Sequence, residues 1–158
     1  MESRVQSTPK GFLRTISIMH LGFSAGLVIF GSMIFIQNDN WELNVMDKNE
    51  VFYFILPIMA VFGIFIGNYL YKQKIDALKS KATLKEKLEG YQQAIIIKFA
   101  LIEGPAFFGI VAAMISENLL YLIIALLLAV YFFSLKPTKD KIINDLELSR
   151  ELKNELNR

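Results

Sequence analysis

Three ionisable side chains fall inside long apolar stretches of this chain: His20, Lys98 and Glu103. Glu103 belongs to the run ALIEGPAFFG, residues 100–109, where it is followed by Gly104 and Pro105, the two poorest helix formers. Pro105 has no N–H to give to the carbonyl of Leu101, which is left free. A carboxylate beside a freed carbonyl is the chemistry of a proton or small-cation site. The same residue, protonated, can instead hydrogen-bond a neighbouring helix and help to hold a bundle together, and both readings stay open at this point. His20 shares a helix face with Ser17 and Ser24, at spacings of three and four. Glu103, His20 and Ser24 are therefore the candidate ion or proton site. Lys98 lies about one turn from the end of its apolar stretch, where its stem can snorkel to the interface, and it points away from Glu103 at 100° per residue.

Other chemistries are excluded by what is missing. There is no cysteine, so disulfides, thiolates and cysteine metal sites are ruled out. One histidine with one carboxylate falls short of the roughly three protein ligands a catalytic metal needs. No phosphate-cradling glycine loop and no nucleophile–histidine–acid set is present. The sequence reads as a non-enzyme with no cofactor.

The elements that must position these residues are four apolar blocks, Thr15–Ile36, Val51–Tyr71, Ala94–Ile115 and Leu119–Leu135. Hydrophobic residues make up 54% of the chain, and mean hydropathy is +0.41. The blocks are apolar all round rather than striped, which separates membrane helices from a soluble bundle. About 20 helical residues cross a hydrocarbon core of about 30 Å, so the first three blocks are long enough and the fourth is slightly short. Basic residues sit before the first block (Arg4, Lys10, Arg14), between the second and third (Lys72 to Lys87) and after the fourth (Lys136 onward). The first connection has only Lys48 against Asp39, Glu42, Asp47 and Glu50, and the third has no basic residue. Short basic loops stay inside. The expectation is an all-α bundle of four transmembrane helices in a bacterial inner membrane, with residues 1–14, the lysine-rich middle loop and the tail 136–158 cytoplasmic. The lysines of that loop suit anionic lipid, not nucleic acid.

The two halves look related: Gly26, Phe30 and Gly31 line up with Gly104, Phe108 and Gly109, which suggests two helical hairpins of one orientation. Small residues recur every fourth position at Gly22 and Gly26, Gly63 and Gly67, and Ala100 and Gly104, where helices are expected to cross closely. Pro105 is the expected kink. Thr83 followed by Glu86 is a capping box, predicting a helix that leads into the third span with a bend at Gly90. After Pro137 and Thr138 a further helix is expected, with Ile142, Leu146, Leu152 and Leu156 on one side. Its apolar side suits the membrane surface or a partner protein.

A two-hairpin chain with one mid-membrane glutamate beside small residues, Glu103 to Ala113, resembles the rotor proteolipids of rotary ATPases. The resemblance implies that the helix carboxylate carries a transported ion. The chain departs from that pattern in three respects: its hairpin tips are placed outside by the charge rule, Ala25 stands where the first half would match Glu103, and its glycine packing is sparser than a tight ring needs. Two functions follow as expectations. One is a small non-enzymatic accessory or assembly subunit, in contact with lipid and with a protein partner or a second copy through cytoplasmic segments. The other is proton or cation translocation using Glu103.

Overall fold

Long apolar runs fold as helices because lipid offers backbone groups no hydrogen-bond partner. The computed structural model describes residues 9–45 and 51–157. Arg4, Asp47, Lys48, Glu50 and Arg158 lie outside the described residues. Among those described, the chain forms six helices: α1 (Pro9–Gln37), α2 (Phe52–Lys79), α3 (Leu84–Ser116), α4 (Leu119–Ser134), α5 (Lys139–Asp145) and α6 (Arg150–Leu156). Extended pairing is limited to one bridge between Glu42 and Asn118. Helices α1, α2 and α3 are long and apolar enough to cross a membrane. The 16 residues of α4 span about 24 Å at 1.5 Å per residue, and the chain then bends by 80° into α5, so α4 makes a fourth crossing only if that broken pair counts as one.

The helices outrun their apolar blocks. Lysines that read as a loop extend α2 to Lys79, and α3 starts at Leu84, where the capping box predicts it. Thr83 opens α3, its hydroxyl oxygen accepting from the Glu86 N–H at 3.3 Å and its O–H donating to Glu86 Oε2 at 2.9 Å. Lys87 turns its ammonium onto the last carbonyls of α2, donating to Leu78 O at 2.9 Å and Lys79 O at 2.7 Å. A cation at a helix C-terminus satisfies orphan carbonyls and opposes the macrodipole. α3 is continuous through both Gly90, where a bend is expected, and Pro105.

α3 is the hub. α2 packs along one side of it, while α4 and α1 pack on the other, and α1 and α2 scarcely touch although they are consecutive. The two halves therefore differ: α3 and α4 form a packed hairpin and α1 and α2 do not. On α2, Gly63 faces α3 so closely that a Cβ there would collide with the Leu101 carbonyl and stand 3.2 Å from the Pro105 ring. Pro105 deprives that carbonyl of its helical partner, and the bare Gly63 brings a Cα–H against it, a contact that recurs where helices cross. Gly67 also sits over Leu101, one turn along. Gly109 holds α4 close, 3.1 Å separating its would-be Cβ from the Ala125 methyl.

The two ends of the bundle are closed differently. At the hairpin-tip end, Glu117 adopts a left-handed conformation (φ 54°) and Asn118 caps α4. The buried Asn118 amide also donates to Asn44 O at 2.9 Å, while Glu42 exchanges backbone bonds with Glu117 and Leu119, tying the first connection to the second tip. At the lysine-rich end the tail folds back. It forms two short helices, separated at Glu147 (φ 47°), where one was expected. Ile142, Leu146 and Leu156 are buried in one cluster with Tyr71, Tyr91, Phe99 and Phe132, and Leu152 packs against it. The apolar side expected to meet the membrane or a partner is instead spent on the bundle's own core.

Candidate functional site

Helix α1 presents His20 and Ser24 inward, both buried, on the face that also carries Ile16 and Leu27. His20 stacks on Phe132 at 4.9 Å between ring centroids and meets Phe99 at 5.2 Å. Its Nε2 lies 3.0 Å from the Phe132 carbonyl, an acceptor only, so Nε2 carries the proton. A ring clamped between two phenylalanines with its N–H committed to a backbone oxygen is a satisfied packing residue linking α1 to α4. One turn along, the Ser24 hydroxyl is fully buried and has no hydrogen-bond partner among the described residues.

Glu103 sits on the flank of α3 that turns toward α1. Phe99 and Phe107, one turn to either side of it, reach α1 at His20 and Phe30. The offset that pairs His20 with Phe99 also pairs Gly31 with Ile110 and sets Ser24 level with Glu103. Level is not touching: no hydrogen bond or ion pair among the described residues joins His20, Ser24 and Glu103. Nor does Glu103 face the bundle interior, as a carboxyl bonded to a neighbouring helix would. It is half-buried, with Ala100 and Gly104 exposed beside it and no partner for its carboxyl among the described residues. The carbonyl freed by Pro105 is on the α2 side of the helix, against Gly63, and not beside the carboxyl.

The small residues divide in the same way. Gly63 and Gly67 hold α2 against α3, and Gly26 makes ordinary contact with Phe107 at 3.6 Å. Gly22 and Gly104 meet nothing within 4 Å, and Ala100 is exposed. Spacing alone could not separate these pairs, because lipid is as apolar as a neighbouring helix and hydrophobicity does not choose between them. What remains is an open face on α3, left between α1 and α2 because those two helices do not close over it.

A second polar group lies nearer the lysine-rich end. Lys98 does not snorkel: it is 7% exposed, with its ammonium 4.7 Å from the centre of the Tyr71 ring. Tyr71 donates to Asp145 of α5 at 2.5 Å, and Asn68 donates to the Tyr131 hydroxyl at 3.2 Å. The Tyr91 ring, also buried, meets the Tyr71 ring edge-on at 6.0 Å between centroids. Sequence reasoning missed this group because its anion comes from the tail, and nothing in the spacing ties residue 145 to residue 71. Among the described residues no three metal-ligating side chains come together.

Comparison with protein-family models, with curated proteins and with solved structures finds no match for this chain. The resemblance to rotor proteolipids rests on the architecture and the stretch Glu103 to Ala113 and gains no support from these comparisons.

Proposed function

We propose that the chain is a small non-enzymatic integral membrane protein acting as an accessory or assembly subunit, and that it engages its partner inside the membrane through the open face of α3. In this reading it crosses four times, with both termini and the lysine-rich loop cytoplasmic. The observation that carries the proposal is Glu103: a carboxyl half-buried at membrane depth, flanked by exposed Ala100 and Gly104, with no partner among the described residues. A charged or unpaired carboxyl in hydrocarbon is costly, and one that persists there marks a contact or a pathway. Small residues on either side let another backbone approach. The occupant that fits is a transmembrane helix carrying a hydrogen-bond donor or a cation at that depth. The tail, packed into the core, is the weaker candidate for partner contact.

Proton or cation translocation through Glu103 is the second reading. What favours it is the orphaned Ser24 hydroxyl at the same level. Against it, His20 is committed to Phe132 and does not extend a polar path. Glu103→Gln and Glu103→Leu separate the two. For an assembly contact, Gln keeps the partner in co-purification and Leu loses it. For translocation, Gln gives a stable, assembled protein that no longer moves protons or cations in sealed vesicles. Retention of both partner and transport in Glu103→Leu removes both readings.

A further inference from the structure

Among the described residues two lysines are buried, Lys87 and Lys98. Lys87 commits its ammonium to two carbonyls at the end of α2. Lys98 has neither a hydrogen bond nor an ion pair among the described residues, and its ammonium rests on the face of the Tyr71 ring. Its stem already runs toward the lysine-rich end of the bundle. The Cγ stands 3.8 Å from where a Cβ on Gly67 would lie, and the ammonium is one turn further along α2, at Tyr71. Lys98 is about 6 Å of helix inside the apolar block that begins at Ala94. A lysine at that depth ordinarily carries its head to the interface. Here the tail lies in the way: Asp145 of α5 accepts from the Tyr71 hydroxyl, and Ile142 and Leu146 are buried in the same cluster.

We infer that the tail is a strap that competes with the membrane surface for Lys98: anionic headgroups of the adjoining leaflet draw the ammonium out along α2, and the tail opens. Closure sets two opposed effects against each other. Burial of Ile142, Leu146, Leu148 and Leu156 favours it. Desolvation of the Lys98 ammonium opposes it, because a buried charge without a close partner is costly. The charges around that ammonium do not cancel the cost. Asp145 attracts it and Lys141, one turn back on α5, repels it, so two cations share one carboxylate beneath the tail. In the open state Lys98 completes its path to the interface, where a negative surface potential favours it. The tail is built to give way as a unit. α5 and α6 have seven residues each, too short to persist as helices without packing, so undocking and melting are one event. Glu103 and the open face of α3 play no part in it.

The test follows amide hydrogen exchange of peptides from residues 139–156 by mass spectrometry, in the purified full-length protein reconstituted into vesicles. One set is dioleoylphosphatidylcholine, and the other is an equal mixture with dioleoylphosphatidylglycerol. Both leaflets carry the same lipid, so the outcome does not depend on orientation. Opening breaks the helical bonds of α5 and α6, so exchange reads it directly. The expected result is several-fold faster tail exchange in the anionic vesicles. Asp145→Asn removes the attracting charge and is expected to speed exchange already in phosphatidylcholine. Lys98→Met is expected to slow exchange and to erase the difference between the lipids, since a hydrophobic residue in place of a buried charge is often stabilising. Lys98→Gln keeps a polar end and is expected to erase the difference as well, which keeps the test open if the methionine variant reconstitutes poorly. Equal exchange of the unaltered tail in both lipids overturns the proposal. So does a lipid difference that survives both Lys98 variants, because the exposed lysines would then be the responders. Faster exchange in Lys98→Met than in the unaltered chain overturns it too, for Lys98 would then be a fastener of the tail.

Discussion

Gly63 and Gly104 lie in like surroundings, membrane-depth helices rich in small residues, yet they face opposite requirements. A methyl at Gly63 meets the Leu101 carbonyl and the Pro105 ring, backbone and a rigid ring that cannot step aside. Overpacking of this kind costs about 1–3 kcal/mol. Gly63→Ala is therefore expected to lower the thermal midpoint of the detergent-solubilised protein, and an unchanged midpoint would mean that α2 and α3 are not held at this crossing. A methyl at Gly104 meets nothing. Gly104→Ala is expected to leave the midpoint level or raise it, since alanine favours a helix by up to about 1 kcal/mol, while weakening partner retention. Lys87 makes a third case: its charge reads as a loop lysine, but its two bonds to the end of α2 predict a loss of about 1–2 kcal/mol in Lys87→Met, measured by the same melt. These roles were only partly legible. The chain names every glycine and lysine, but the neighbour that gives each its role comes from another element. Glu103 was legible as the exceptional residue and illegible in its direction, because its exposure depends on α1 and α2 failing to close over α3.

Among the elements, the tail is where sequence and structure part most. Its apolar positions are visible at Ile142, Leu146, Leu152 and Leu156, and amphipathicity alone cannot say what covers them. The cover is the end of the bundle, where Asp145 meets Tyr71 and Glu147 meets Lys79 at 2.8 Å. Each fully buried leucine or isoleucine is worth about 1.5–3 kcal/mol against exposure. A chain ending at Thr138 is thus expected to insert but to melt earlier and to expose the Tyr91 and Phe99 end to protease. The full-length tail should resist cleavage at Lys141 and Lys153 under the same conditions. Equal midpoints for the two forms would show the tail to be an appendage. The exposed Lys79–Glu147 ion pair adds little to this, because water screens it. The four apolar helices were legible for the complementary reason. Their signal is local and all-round, and needs no knowledge of a neighbour. Of their extensions beyond the apolar blocks, the start of α3 was legible through the Thr83 and Glu86 capping box, and the continuation of α2 to Lys79 was not, since without a cap signal charged residues look the same in a helix and in a loop.

At the scale of the molecule, the placement of charge decides orientation. The ends of α2 and α4 and the starts of α1 and α3 share one side of the bundle, and the tail closes that side. Lys81 lies in the connection between α2 and α3 on that side, with Lys79 at the end of α2 and Lys85 and Lys87 at the start of α3. On the opposite side, the two tips are joined through Asn118 and Glu42 and carry acidic and amide side chains. Lysine and arginine bias in short loops sets which side stays in the cytoplasm, and acidic residues contribute little to it. Lys87 is withdrawn from the loop charge by its cap, while Lys72, Lys74, Lys79, Lys81 and Lys85 remain exposed, so the charge rule predicts that this side is cytoplasmic. The chain has no cysteine of its own, so single cysteines introduced at Asn44 and Lys81 report cleanly. Both positions are exposed, and neither is in the apolar part of a helix. An impermeant maleimide added to intact cells is expected to label Asn44→Cys and to spare Lys81→Cys until the membrane is opened. Labelling of both from one side would overturn the alternating arrangement, and the reverse pattern would keep the arrangement but invert it. In the inverted case the open face of α3 would stand unchanged at mid-membrane, so the assembly proposal and the orientation stand or fall separately.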